Sequence, residues 1–213
     1  MDIVVSLIPA YLNGTVITLQ VSALALAIGF GVGLMLALAR SYGGPWFVVV
    51  ALTYMTVIRS LPEIAALFLF YFVLGALVPL PPLLAAVLAL AAISSAYQAE
   101  IFRSSIASVG QHQMVSARAL GMSRVQAIAN VVLPQALRHA IPGWSNEASG
   151  MIKNSALVYA LGVPELLRQA EYVSARTLEP FIAFGAAAVI YLVLTVVANS
   201  ALRFVERRVA IPA

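Results

Sequence analysis

No charged side chain stands between Thr15 and Ala39, and the run closes on Arg40. About 20 apolar residues, rising 1.5 Å each as a helix, cross the hydrocarbon layer of a bilayer. Residues 15–39 are therefore predicted to span a membrane. Further apolar runs follow at 46–79, 83–106, 140–162 and 181–203. Such runs exceed what a soluble core would need, since 62% of the chain is hydrophobic and only 9% is charged. The expected fold class is an all-α integral membrane protein of about five transmembrane helices, organised as a single transmembrane domain over residues 1–213. The opening MDIVVSLIPAYLNG has Asp2 and no basic residue, so no cleavable signal peptide is expected. Gly29, Gly31 and Gly33 follow no strand and suit close helix packing better than a phosphate loop.

The run 46–79 is longer than one crossing requires and is interrupted by IRSLPE, Ile58 to Glu63. Arg59 and Pro62 mark the entry into the apolar layer, with Ile64 to Val78 as much of the crossing; Arg59 is either a snorkelling anchor or a residue with a specific role. After the turn VPLPP, the third run ends in AYQAEIFRSS. Glu100 and Arg103 stand three apart and are expected to pair on one helix face, in preference to contacting a solute. The fourth run holds Asn146, Glu147, Asn154 and Lys153, the only lysine of the chain. An ionisable group at that depth faces a bundle interior or a watery cavity, which makes this run a candidate pore lining. Glu147 and Lys153 are six residues apart, so they point about 240° apart on one helix and cannot grip one solute together. Glu147, with Asn146 and Tyr97, is expected to face the path; Lys153 either does so too or pairs with a neighbouring span.

Two stretches cannot cross. VPELLRQAEYVSARTLEP, Val163 to Pro180, mixes Glu165, Arg168, Glu171, Arg176 and Glu179 and reads as an amphipathic surface helix. Gln113 to Arg138, QMVSARALGMSRVQAIANVVLPQALR, reads as two short helices broken at Gly121. Ser123 is placed to cap the second, and Pro134 disfavours helix in the residue before it. Counting arginines by the positive-inside rule puts Arg40, Arg103, Arg118, Arg124, Arg138, Arg203, Arg207 and Arg208 on the cytoplasmic side. The N-terminus is then outside and the C-terminus inside.

Several chemistries are excluded. Without cysteine there is no disulfide and no thiolate metal site. No metal site or catalytic constellation is expected: His112 and His139 read as separate loop residues, and there is no His-Glu-x-x-His. The single lysine follows Ile152, so no P-loop exists. The net charge of +4 comes from scattered arginines and reports topology rather than nucleic-acid binding.

The stretch 113–138 resembles the coupling loop of ABC-importer permeases, in which Glu-Ala-Ala is followed by Gly and an apolar stretch closing on Leu-Pro. Ala117, Gly121, Ile128, Leu133 and Pro134 fit, while Val115 and Ser116 replace the family's Glu and first Ala. ARALGMS and LPQALR look like the polar-amino-acid subfamily. IRSLPE resembles its Arg-Gly-x-Pro element with Ser60 for Gly, and its Pro-Glu looks closest to members that carry basic amino acids. Ala96, Tyr97, Glu100 and Arg103 match an Ala-Tyr-x-x-Glu-x-x-Arg signature; Lys153, Ser155 and Leu157 match Lys-x-Ser/Thr-x-Leu.

The resemblance implies a type I importer permease (MetI-like) fold with cytoplasmic coupling helices, in the cell inner membrane. Its ATPase-coupling residues would be Ser116, Ala117, Ala119, Leu120, Gly121, Met122, Ser123, Ile128, Leu133 and Pro134. Its substrate path would draw on Tyr97, Glu100, Asn146, Glu147, Lys153 and Asn154. It implies no cofactor in this chain, with ATP-Mg on a partner ATPase. The other implied partners are a second permease subunit, identical or related, and an extracytoplasmic solute-binding protein. The alternative is a small passive channel or secondary carrier. Secondary carriers usually carry internal inverted repeats, and none is visible here.

Overall fold

In the computed structural model, which describes residues 2–209, every regular element among the described residues is helical. Helix α1 runs Asp2–Tyr42, α2 Pro45–Ser60 and α3 Glu63–Leu77. The long α4 covers Pro82–Ser108, and the short α5 and α6 cover Gln111–Ala119 and Arg124–Ala127. A five-residue π turn, Ile128–Val132, leads into α7, Leu133–Asn154. A 3₁₀ segment, Ser155–Leu161, then ends at Gly162, and α8 Leu166–Thr177 and α9 Pro180–Val209 complete the chain.

Helix α4 is the axis of the packing, touching α1 most extensively and also α2, α3 and α7. Its buried face carries Ala85, Ala86, Ala89, Ala96 and Ala99. Small side chains let helix backbones approach closely where lipid supplies no hydrophobic drive. On α1 the matching positions are glycines. A Cβ on Gly29 would lie 2.8 Å from Gln98 Nε2, and one on Gly33 would lie 3.0 Å from the Ser95 carbonyl oxygen. Gly31 faces open space, so two of the three glycines serve packing and the third does not.

The run 46–79 is not one rod. Leu61 is extended ahead of Pro62, as a residue before proline prefers, and α2 and α3 meet at 119°. By length and composition three helices are long and apolar enough to cross a membrane, or four if this bent pair counts as one span. The run 140–162 is helical, but it belongs to an α7 that carries Arg138, Glu147 and Lys153. It is held by neighbours rather than by its hydropathy: Ser149 Oγ donates to Asn199 Oδ1 on α9, and Ala136 and Ala140 pack beside Phe102 and Ala37.

Pro134 does not end a helix. The N–H of Leu133 reaches back five residues to the Ile128 carbonyl, and the π turn absorbs the strain where an α-helical pattern would have met the proline ring. α6, the π turn and α7 therefore form one continuous helical path. His139 lies within it and His112 lies on α5; both are exposed, and neither is a loop residue.

Candidate coupling surface and polar path

Residues 111–138 pack by one side only. Ala117, Ala127 and Val132 are buried, and Met122, Ile128 and Leu133 are half-buried. Ser116, Ala119 and Pro134 are exposed, and so are the apolar Val115, Leu120 and Val125, at 65%, 81% and 75%. Gly121 sits between the helices at φ +85°, a conformation that side chains with a Cβ rarely adopt. Space is not its constraint, because a Cβ there would meet nothing within 4 Å. Ser123 then caps α6 in a reciprocal arrangement. Its Oγ accepts from the Gln126 N–H at 3.3 Å, and Gln126 Oε1 accepts from the Ser123 N–H at 2.8 Å. Arg124 donates to the Tyr42 carbonyl at 3.3 Å and lies over its ring, tying the loop to the end of α1.

The polar residues of the spans form two groups. In the first, Glu100 pairs with Arg103 as the i, i+3 spacing required. Two further arginines converge on the same carboxylate: Arg40 Nη1 at 2.7 Å from α1 and Arg59 Nη1 at 3.6 Å from α2. Arg59 also lies 5.7 Å from the centre of the Tyr97 ring. Glu100 is thus the hub of an ion network joining three helices, which accounts for it without a solute.

In the second group, Ser94 Oγ donates to Glu147 Oε1 at 2.6 Å, and Tyr97 stands three residues after Ser94 on the same face of α4. The structure therefore brings together Glu147 and Tyr97. Asn146 and Lys153 are exposed on other faces of α7, and Asn154 is half-buried at its end. No ion pair among the described residues involves Lys153, so the structural pairing considered for it is not formed within the chain.

Two residues to which sequence reasoning assigned no site role, Gln98 and Glu165, each make three side-chain hydrogen bonds. Gln98, fully buried on α4, donates to the Leu26 carbonyl and to Ser94 Oγ and accepts from Trp144 Nε1 at 2.8 Å. It fastens α1 and α7 to α4 directly behind Glu147. Glu165, also fully buried, caps α8 by accepting from the N–H groups of Leu167 and Arg168, both at 2.8 Å. Tyr191 of α9 donates to it at 2.5 Å. Burial pushes the Glu165 carboxyl above its ordinary range, while these donors pull the other way. A lone amide in an apolar run was the available signal for Gln98.

Residues 29–211 match the family of binding-protein-dependent transport system inner membrane components. The glutamine transport system permease protein of Escherichia coli is 36% identical over 207 residues, covering 96% of this chain and 94% of that protein. The arginine ABC transporter permease protein of Haemophilus influenzae is 35% identical over 177 residues, covering 79% and 78%. Among solved structures, a crystal structure of an amino acid ABC transporter with histidines superimposes with a TM-score of 0.87 at 36% identity, covering 96% of both chains.

Proposed function

The chain belongs to the family of binding-protein-dependent transport system inner membrane components, and from that premise we propose that it carries a polar amino acid across the membrane at the expense of ATP hydrolysed by a separate subunit. Membership sets aside the passive channel and the secondary carrier. The observation that carries the coupling is the outward face of residues 111–138. Val115, Leu120 and Val125 are apolar and exposed on a loop braced from behind by buried Ala117 and Ala127, which suits a surface that another protein covers.

In this reading the ATPase subunit, with its ATP-Mg, docks on that face from the cytoplasm. A second permease subunit completes the path, and a solute-binding protein delivers from outside. Closure of the ATPase pair moves the permease between inward-open and outward-open states. With the bent α2–α3 pair as one crossing and the more polar α7 as a further one, the chain crosses five times, and the side on which the arginines gather puts the N-terminus out and the C-terminus in. Glu147 faces the path beside Tyr97 and favours the ammonium or side-chain cation of the solute, and the similarity to a glutamine and an arginine permease supports a polar amino acid.

The test is uptake into proteoliposomes holding the permease with its ATPase. Uptake should need ATP and the ATPase subunit; ATP-independent uptake overturns the reading. Glu147→Gln should reduce uptake of a cationic amino acid several-fold more than that of a neutral one, and an unchanged ratio removes Glu147 from the path.

A further inference from the structure

Where α1 and α4 leave the apolar layer, a cavity of about 590 Å³ opens between their ends and the start of α5. Arg40, Arg103 and Arg124 line it, and no carboxylate does. Glu100, behind the wall, is the one carboxylate available, and it is shared among Arg40, Arg59 and Arg103. Arg124 has no ion pair among the described residues. Three guanidiniums thus share one carboxylate and Arg124 has none, and Arg40, Arg103 and Arg124 meet in one recess. The first turn of α5 adds to the field: Gly110 and Gln111 are on the cavity wall, and no side chain caps that helix. The remaining wall includes Ile106, Met114 and Val132, apolar groups that would be wasted on a small hydrated ion.

We propose that this cavity binds a phosphate-bearing anion, with guanidiniums on the phosphate oxygens and the apolar wall against the rest of the molecule. Its level at the edge of two spans favours the phosphodiester headgroup of an anionic phospholipid; a free phosphate offers the same chemistry. Occupancy would clamp the coupling loop to the end of α1, which its Arg124 already touches, so bilayer composition would reach the coupling loop directly. The site is separate from the solute path and does not depend on which solute is carried.

The assembled complex of permease and ATPase, in discs of phosphatidylcholine, is titrated with a short-chain fluorescent phosphatidylglycerol. Arg124→Gln should weaken binding about fivefold, the usual effect of one basic residue at an anionic surface. Ala107→Glu places a carboxylate on the exposed cavity wall, one helical turn from Arg103, where it competes with the anion for that guanidinium; it should do likewise, which keeps the test open if Arg124→Gln fails to assemble. Arg208→Gln, at the far end of α9, should bind as the parent does. Displacement of the probe by millimolar inorganic phosphate supports the site with a soluble source; retention of the probe supports it with the headgroup as the source. Equal affinity in the parent and both cavity variants overturns the proposal. So does release of the ATPase subunit by either variant with probe affinity unchanged, which would make the recess a protein contact.

Discussion

Residues 111–138 and 163–179 both connect apolar rods through amphipathic helices, yet the first turns Val115, Leu120 and Val125 outward while the second buries Leu166, Ala170 and Val173. The second is also pinned by polar groups. Glu165 holds the start of α8 and the Tyr191 hydroxyl, and Thr18 accepts from the Leu166 N–H. The first has its capping box on the surface, with Val115, Leu120 and Val125 uncovered beside it. One connector is completed inside this chain; the other is completed by something else. A connector's sequence amphipathicity does not distinguish these cases, because both have an apolar stripe and what differs is the side on which a neighbour lies.

The contrast breaks most severely at Glu165. Glu165→Ala removes the cap of α8 and the acceptor of a buried hydroxyl, and should cost about 2–4 kcal/mol, read as a lowered melting temperature of the purified complex. A change within about 0.5 kcal/mol would show that α8 is held by apolar contact alone. Its pH dependence has a definite sign. Because the folded carboxyl titrates above its unfolded value, its contribution is fully present below about pH 4.3 and is lost as pH rises through the folded value. The Glu165→Ala protein should therefore show a flatter stability profile across mildly acidic pH.

Gly121→Val comes next. A β-branched residue at φ +85° should cost about 1–2 kcal/mol of local strain and reduce ATP-driven uptake several-fold, with the binding protein's affinity for its ligand unchanged. Normal uptake at normal expression would mean that this turn is not the coupling joint. Smaller still in stability is the pair Leu120→Ser and Val125→Ser, each expected within about 0.5 kcal/mol of the parent because the positions are exposed. Their effect should fall on retention of the ATPase subunit during purification. Undiminished retention would deny that the exposed face is the docking surface. The mildest is Arg176→Cys, which should leave transport intact and react with a membrane-impermeant thiol reagent added to intact cells. Labelling only after permeabilisation would invert the topology.

What could be read from the sequence was whatever depends on near neighbours in the chain. The Ser123 cap, the break at Gly121 and the Glu100–Arg103 pair each involve residues within three or four positions, where helix geometry alone sets the contact. The convergence of Arg40 and Arg59 on Glu100 spans tens of residues and depends on how α1 and α2 lie against α4. Glu165 was visible only as one charge among several in a polar stretch, since Glu is not a favoured capping residue and its partners Thr18 and Tyr191 are distant in sequence. The 119° bend between α2 and α3 was legible as a break at Arg59 to Pro62 but not as an angle. Pro134 misled for the opposite reason: the rule for proline assumes an α-helix, and the chain changed its helix type there.

That change of helix type also fixes a phase. A π turn carries roughly one residue more than an α turn over a similar rise, so whatever follows Ile128–Val132 is rotated by about 100° relative to an uninterrupted α-helix. Trp144 and Glu147 meet Gln98 and Ser94 only because that rotation has been made. Forcing the same five residues into α geometry would rotate α7 by about that amount, turning Glu147 away from α4 and bringing another face forward, whereas deleting one of them would let an α turn replace the π turn and keep α7 in phase. The five-residue turn acts as a dial between the loop and the interior, and its setting decides which side chains of α7 look inward.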